Sequence, residues 1–169
     1  MADEIGLPLP WADLRQAFHV DGSLRDIVVV DTDLGDWERA YAYVRQLGAA
    51  ADARLKSDPD PLPAYVREVF ALHDEQSTRL EVHLGHVQLN CFFFGELEIE
   101  FDFSPKAIAS ETEARSIVSF MRGLGQATGR PVHLTEENVH EWRWLTFDPA
   151  SNEWAFKPDP LDGRSTPRD

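Results

Sequence analysis

The chain has 169 residues, 16 Lys+Arg against 30 Asp+Glu for a formal charge of −14, and a single cysteine, Cys91. That length buries an adequate core without staples, one cysteine excludes an internal disulfide, and the negative charge argues against nucleic acid, whose affinity is built by neutralising phosphates with Lys and Arg. No apolar run is longer than five residues, and residues 1–5 carry neither a basic leader nor an apolar segment, so the expected class is a cytoplasmic protein without a membrane role.

Taken in chain order, the first ten residues carry Gly6, Pro8 and Pro10 and read as irregular. Trp11, Leu14 and Phe18 follow at helical spacing behind a proline suited to a helix start. Asp21 and Gly22 turn the chain into residues 24–30, whose Ile and Val content predicts a buried strand. From Leu34 the positions Trp37, Ala40, Tyr41, Val44 and Leu47 recur with a period near 3.6, with Thr32 or Asp33 placed to cap a helix and Gly48 placed to end it. Residues 49–63, rich in Ala, Asp and Pro, read as an exposed connection. Residues 63–72 fit a helix with Val66, Val69 and Phe70 inward, although their β-branched and aromatic content also suits a strand.

Residues 78–103 carry the clearest pattern. Leu80, Val82 and Leu84 alternate with Glu81 and His83. Val87, Leu89, Cys91 and Phe93 alternate with Gln88, Asn90 and Phe92. Leu97, Ile99, Phe101 and Phe103 alternate with Glu98, Glu100 and Asp102. Period-two alternation of this kind predicts a three-stranded antiparallel meander with one apolar and one polar face. Gly85 and His86 make a two-residue turn that pairs Leu84 with Val87. For the second hairpin a three-residue connection, 94–96, keeps the apolar sets together. That register puts Glu81, Asn90 and Glu100 in one polar row and His83, Gln88 and Asp102 in the next, with all the apolar partners, Leu97 included, in the core.

Ser110 and Glu113 form a capping box ahead of a stripe at Ala114, Ile117, Val118, Met121 and Leu124, and Gly129 with Pro131 ends that helix. Residues 132–134 and 142–147 read as strands, and residues 148–152 turn the chain into a hairpin partner at 154–156. The tail, 158–169, has one large apolar residue, Leu161, and is expected to be disordered. The prediction is one α+β domain over 1–157, with a mainly antiparallel sheet, the central meander and a C-terminal hairpin packed by two to four helices.

Few motifs carry chemistry. Residues 28–36, Val-Val-Val-Asp-Thr-Asp-Leu-Gly-Asp, resemble the calcium-binding motif of nucleoside hydrolases and, more loosely, the Asp-x-Asp of haloacid-dehalogenase-type phosphatases. Either resemblance would make Asp31 and Asp33 metal ligands or catalytic groups. Leu34 stands where the hydrolase motif has proline and Trp37 where it has a further acid, and an N-capped helix accounts for the same residues. Glu137 and His140 have the spacing of a di-iron helix pair, but no second such pair is present. Cys91 falls on the apolar face, away from His83, and reads as a small buried hydrophobe. No catalytic residue and no cofactor are therefore expected.

The polar face of the meander is the remaining candidate. Glu98, Glu100 and Asp102 would stand about 7 Å apart along one strand, where like charges repel unless solvent, a cation or a basic partner intervenes. With Glu81, His83, Gln88 and Asn90 they form an expected partner-binding face. Residues 87–94, 98–105 and 145–154 together resemble a family of small acidic bacterial α+β proteins without assigned activity, and that resemblance implies a bacterial domain and brings no catalytic residue. The leading expectation is a non-catalytic acidic interaction module, for example an immunity-type inhibitor of a basic protein. The alternatives are a small carboxylate- or metal-dependent hydrolase, and a homodimer that covers Phe92, Phe94 and Trp142.

Overall fold

The computed structural model describes residues 6–158. Among the described residues the fold is α+β, with four α-helices and one eight-stranded antiparallel sheet. Helix α1 (Trp11–Leu14) runs into a 3-10 turn (Arg15–Phe18) and is followed by β1 (Arg25–Val30), α2 (Leu34–Ala49), β2 (Arg54–Asp58) and α3 (Val66–His73). The meander β3 (Arg79–Leu84), β4 (Val87–Cys91) and β5 (Glu98–Phe103) comes next, then α4 (Glu111–Thr128), β6 (Val132–Glu136), β7 (Val139–Asp148) and β8 (Glu153–Phe156). The strand order is β2-β3-β4-β5-β1-β6-β7-β8, so β1 lies in the interior of the sheet between β5 and β6.

The helices cover one face. Ile27 and Val29 of β1 join Ile99, Phe101 and Phe103 of β5 and the α4 stripe of Ala114, Ile117, Val118, Met121 and Leu124 in one buried cluster. Each such side chain removed from water contributes roughly 1.5–3 kcal/mol, which is why the 3.6-residue stripe and the two-residue alternation settle on the same layer. Helix α2 begins on a reciprocal capping box, Asp33 accepting from the Asp36 N–H and Asp36 accepting from the Asp33 N–H at 2.8 and 3.0 Å. Ser110 begins α4 differently, since its hydroxyl donates to the Glu113 carboxylate and no side chain caps the helix N–H groups.

Three features depart from the sequence reading. The stretch 49–63 is not simply a connection, because Arg54–Asp58 pairs along β3 as an edge strand. Its one apolar side chain, Leu55, packs so closely on α2 that a Cβ at Gly48 would come within 2.7 Å of it, and the charged neighbours are what an edge strand uses to stay unpaired on its outer side. Gly48 accordingly lies inside α2, which runs on to Ala49.

The second departure is register. The hairpin β3–β4 pairs Leu84 with Val87 and Glu81 with Asn90, as the Gly85-His86 turn requires, but β4 and β5 pair Asn90 with Asp102 rather than with Glu100. A slip of two residues leaves every side chain on its face, so alternation alone could not reveal it. The connection is consequently longer, residues 92–97, and Leu97 is 77% exposed instead of buried. Phe93 takes a left-handed backbone (φ 59°) that sends its ring into the core against Trp37, Tyr41 and Phe70. Burial of that ring offsets a left-handed cost of about 1–2 kcal/mol. Third, the strands at the C-terminal side are longer than expected, with β7 reaching back to Val139 and register shifts against β6 on either side of Thr135. The expected tail lies outside the described residues apart from Pro158.

Candidate functional site

The face opposite the helices carries the polar partners of the alternating strands. One row runs across seven strands as Lys56, Glu81, Asn90, Asp102, Asp26, Thr135 and Arg143, acidic in the middle and basic at both ends. In the neighbouring row Val28 of β1 stands opposite both Glu100 and His133 and is fully buried, which gives the carboxylate of Glu100 an apolar floor.

His140 closes over this floor from β7. Its Nδ1 lies 3.0 Å from Glu98 Oε2, and its Nε2 lies 3.1 Å from Asp26 Oδ2 and 3.4 Å from Glu100 Oε2. With both nitrogens facing carboxylates, the ring can donate from each only as imidazolium. Asp26, at 2% side-chain exposure, also accepts from the Asn138 N–H at 2.8 Å. The left-handed Asn138 (φ 58°), in the hairpin between β6 and β7, makes this approach possible.

Crowding and burial shift the protonation of the whole group. Desolvation raises the pKa of Asp26 against the opposing bonds from Asn138 and His140. Burial, then the charge of Asp26, hold Glu100 up to about 7. Burial likewise raises Asp102, with the Asn90 amide working the other way. Burial disfavours the charged imidazole of His140, but Glu98, Asp26 and Glu100 outweigh it and its pKa is raised.

The other buried acids are balanced by arginine. Asp36 meets both Arg39 and Arg130, Glu81 meets Arg79 as well as His83, and the fully buried Arg25 lies against Asp21 and Glu136. At the β1–β5 cluster, by contrast, no Arg or Lys among the described residues lies within ion-pair distance of Asp26, Glu98, Glu100 or Asp102. One imidazole therefore faces several carboxyl groups.

Of the residues singled out from sequence, Glu98 and Glu100 belong to this cluster, Asp102 adjoins it opposite Asp26, and Asn90 donates to Asp102 at 2.9 Å. Gln88 donates to Asn90 at 2.8 Å and extends the chain outward. Glu81 and His83 stand apart on β3, 2.9 Å from each other. Asp33 is engaged in the α2 cap, and Asp31 is an exposed left-handed residue (φ 56°) at the end of β1. Phe94 is 75% exposed, while Phe92 and Trp142 are partly buried.

The sequence does not single out Asp26, and it marks His140 only through its di-iron-like spacing from Glu137, not as a partner of the polar face. Asp26 precedes an Ile-Val-Val-Val run and its alternation with Ile27 was the available signal, whereas His140 reaches the site only through the irregular β6–β7 pairing.

Asp26, Glu100 and His140 offer ligand atoms that all lie within 4.8 Å of one another. The 3.1 and 3.4 Å separations around Nε2 are close to those of ligands sharing an ion at about 2.0–2.2 Å, and Glu98 on Nδ1 would orient the ring as an outer carboxylate does in metal sites.

A cleft of about 400 Å³ opens beside the cluster, lined by Trp37, residues 93–97, Glu98 and Glu100. A larger cleft of about 730 Å³, between Arg45, Asp52, Arg54 and His83, lies at the β2 edge, three strands from β5, and contains none of these carboxylates. No helix among the described residues is long and apolar enough to cross a membrane. Comparison with known protein families, with curated proteins and with solved structures returned no match.

Proposed function

We propose that the protein is a non-catalytic acidic interaction module that binds a basic protein through the polar sheet face at β1 and β5, an immunity-type inhibitor being one form of such a module. The observation that supports this reading is that, among the described residues, no Arg or Lys pairs with Asp26, Glu98, Glu100 or Asp102, in a chain that elsewhere pairs its buried acids with arginine. A basic surface would supply the missing cations, and a net charge of −14 would speed its encounter. The test is capture from a lysate of the source organism by the wild-type chain and by a Glu98→Gln, Glu100→Gln, Asp102→Asn variant, followed by purification of the captured protein and measurement of its association rate. The expected result is a rate that falls with added salt and falls in the variant. A captured partner whose rate responds to neither change would remove the acidic face from consideration.

A metal-dependent centre is the second reading, favoured by the close approach of Asp26, Glu100 and His140. Calorimetric titration with zinc and manganese decides it. Micromolar binding that is lost in His140→Ala would put a metal site in place of the docking face, and a flat titration would leave the first reading alone.

A further inference from the structure

Resting on that reading of the face as a docking surface, we infer that the cleft beside Glu98 receives an arginine side chain of the partner. The cleft has two kinds of wall. Trp37 and Phe93 are almost fully buried and form its apolar floor, Phe94 and Leu97 form a rim that is 75% and 77% exposed, and Glu98 and Glu100 complete the lining. An apolar cleft whose lining includes two acids fits a long aliphatic stem with a cationic tip.

The rim distinguishes arginine from lysine. Phe94 stacks on Phe92 with centroids 5.5 Å apart and planes 20° apart, so its ring is backed by a second one and its exposed surface faces the cleft and solvent. A planar guanidinium stacks on such a ring and presents a fork of donors to carboxylates, whereas an ammonium is a compact, strongly hydrated point charge. Among the described residues Glu98 and Glu100 are engaged only by His140, so acceptor capacity remains.

The exposed loop is also held in place. Thr32 Oγ1 and Trp37 Nε1 both donate to the Glu96 carbonyl, at 2.6 and 3.1 Å, and the Thr32 N–H donates to the Leu97 carbonyl at 3.0 Å. Two large apolar side chains are thus kept in water on a pinned backbone, which reduces the ordering cost of binding. Charge complementarity selects the occupant, because an apolar partner would leave Glu98 and Glu100 facing no cation and a second copy of this chain would bring its own net charge of −14.

The experiment uses the full chain and two labelled Gly/Ser peptides that differ only in carrying arginines or lysines, with binding followed by fluorescence anisotropy. The arginine peptide should bind at least about threefold more tightly than its lysine twin, the size of an exposed cation–π contact. Phe94→Ser should abolish that preference without changing the melting temperature, since the ring is exposed. Equal affinity for the two peptides, or a preference that survives Phe94→Ser, overturns the arginine cleft. If in that case both peptides still weaken in Glu98→Gln, Glu100→Gln, the acidic docking reading stands without it. Absence of binding by either peptide at low salt overturns both, as does self-association of the chain that Phe94→Ser removes.

Discussion

Asn90 and Asp102 face each other across β4 and β5, the Asn90 amide donating to the carboxylate Oδ1 at 2.9 Å, and they form the one registered pair between those strands. The bond reaches a carboxylate that burial drives toward neutrality, so Asn90 is what favours its charged form. A bond to a charged group contributes about 1.5–3 kcal/mol, and at this half-buried site the lower figure applies. A double-mutant cycle with Asn90→Leu and Asp102→Leu should give a coupling of about 1–2 kcal/mol at pH 8 that shrinks at pH 4. Additive single mutants at both pH values would show that the pair carries no bond.

The pH dependence of stability should expose Glu100. Burial and Asp26 hold its pKa up to about 7 against an ordinary 4.5, so between those values the folded chain keeps a proton that the unfolded chain has released. The stability from this group is complete below about pH 4.5 and is lost as pH rises through about 7. His140 has the same sign, its contribution disappearing as pH rises through its raised folded value. His133, pushed down to about 4 by burial and then by Arg143, opposes them with stability that increases from about pH 4 toward 6.5. The difference between wild type and Glu100→Gln separates these effects. The Gln variant should match wild type near pH 4 and exceed it by roughly 1–2 kcal/mol at pH 8 in denaturant titrations, discounted for partial exposure and for the contact with His140.

The alternation of residues 80–103 made the meander legible, because only a sheet face sorts Leu80, Val82, Leu89, Cys91, Ile99 and Phe101 from Glu81, Asn90, Glu100 and Asp102. The helices α2 and α4 were legible for the matching reason at a period of 3.6. What the pattern lacks is long-range pairing. Nothing local in Ile27, Val28 and Val29 says that β5 and β6 flank them, and therefore nothing local brings Asp26 to Glu100 or His140 to either. The alternation puts Leu97 inward because an exposed leucine looks like a core residue in one dimension. The loop instead buries Phe93, whose left-handed backbone no hydrophobic pattern records.

Cys91 should be inert. Its side chain is buried in the meander and burial pushes its thiol up to about 12, so thiolate is scarce at neutral pH. Labelling with a thiol reagent should be slow and should accelerate in step with global unfolding as denaturant is added. Stoichiometric labelling within seconds under native conditions would contradict the placement of β4.

Gly125 is required by close packing of α4 on the sheet. A Cβ there would lie 2.7 Å from the Phe147 ring and 3.3 Å from Val132. Alanine raises helix propensity by about 1 kcal/mol, but overpacking in a filled core costs about 1–3 kcal/mol. Gly125→Ala should therefore be destabilising on balance in a denaturant melt. A more stable variant would mean that α4 can lift from β6 and β7 without loss.

The interior position of β1 also imposes an order of events during synthesis. Val28 finds its neighbours in Glu100 on one side and His133 on the other, so the strand emerges from the ribosome long before either partner exists. Until β5 and β6 are made, the Ile-Val-Val-Val segment is a nascent, unpaired and strongly β-prone stretch, the kind of sequence that aggregates when it waits. The acids that bracket it, Asp26 before and Asp31 after, act in that interval as charged gatekeepers, before they have any site to belong to.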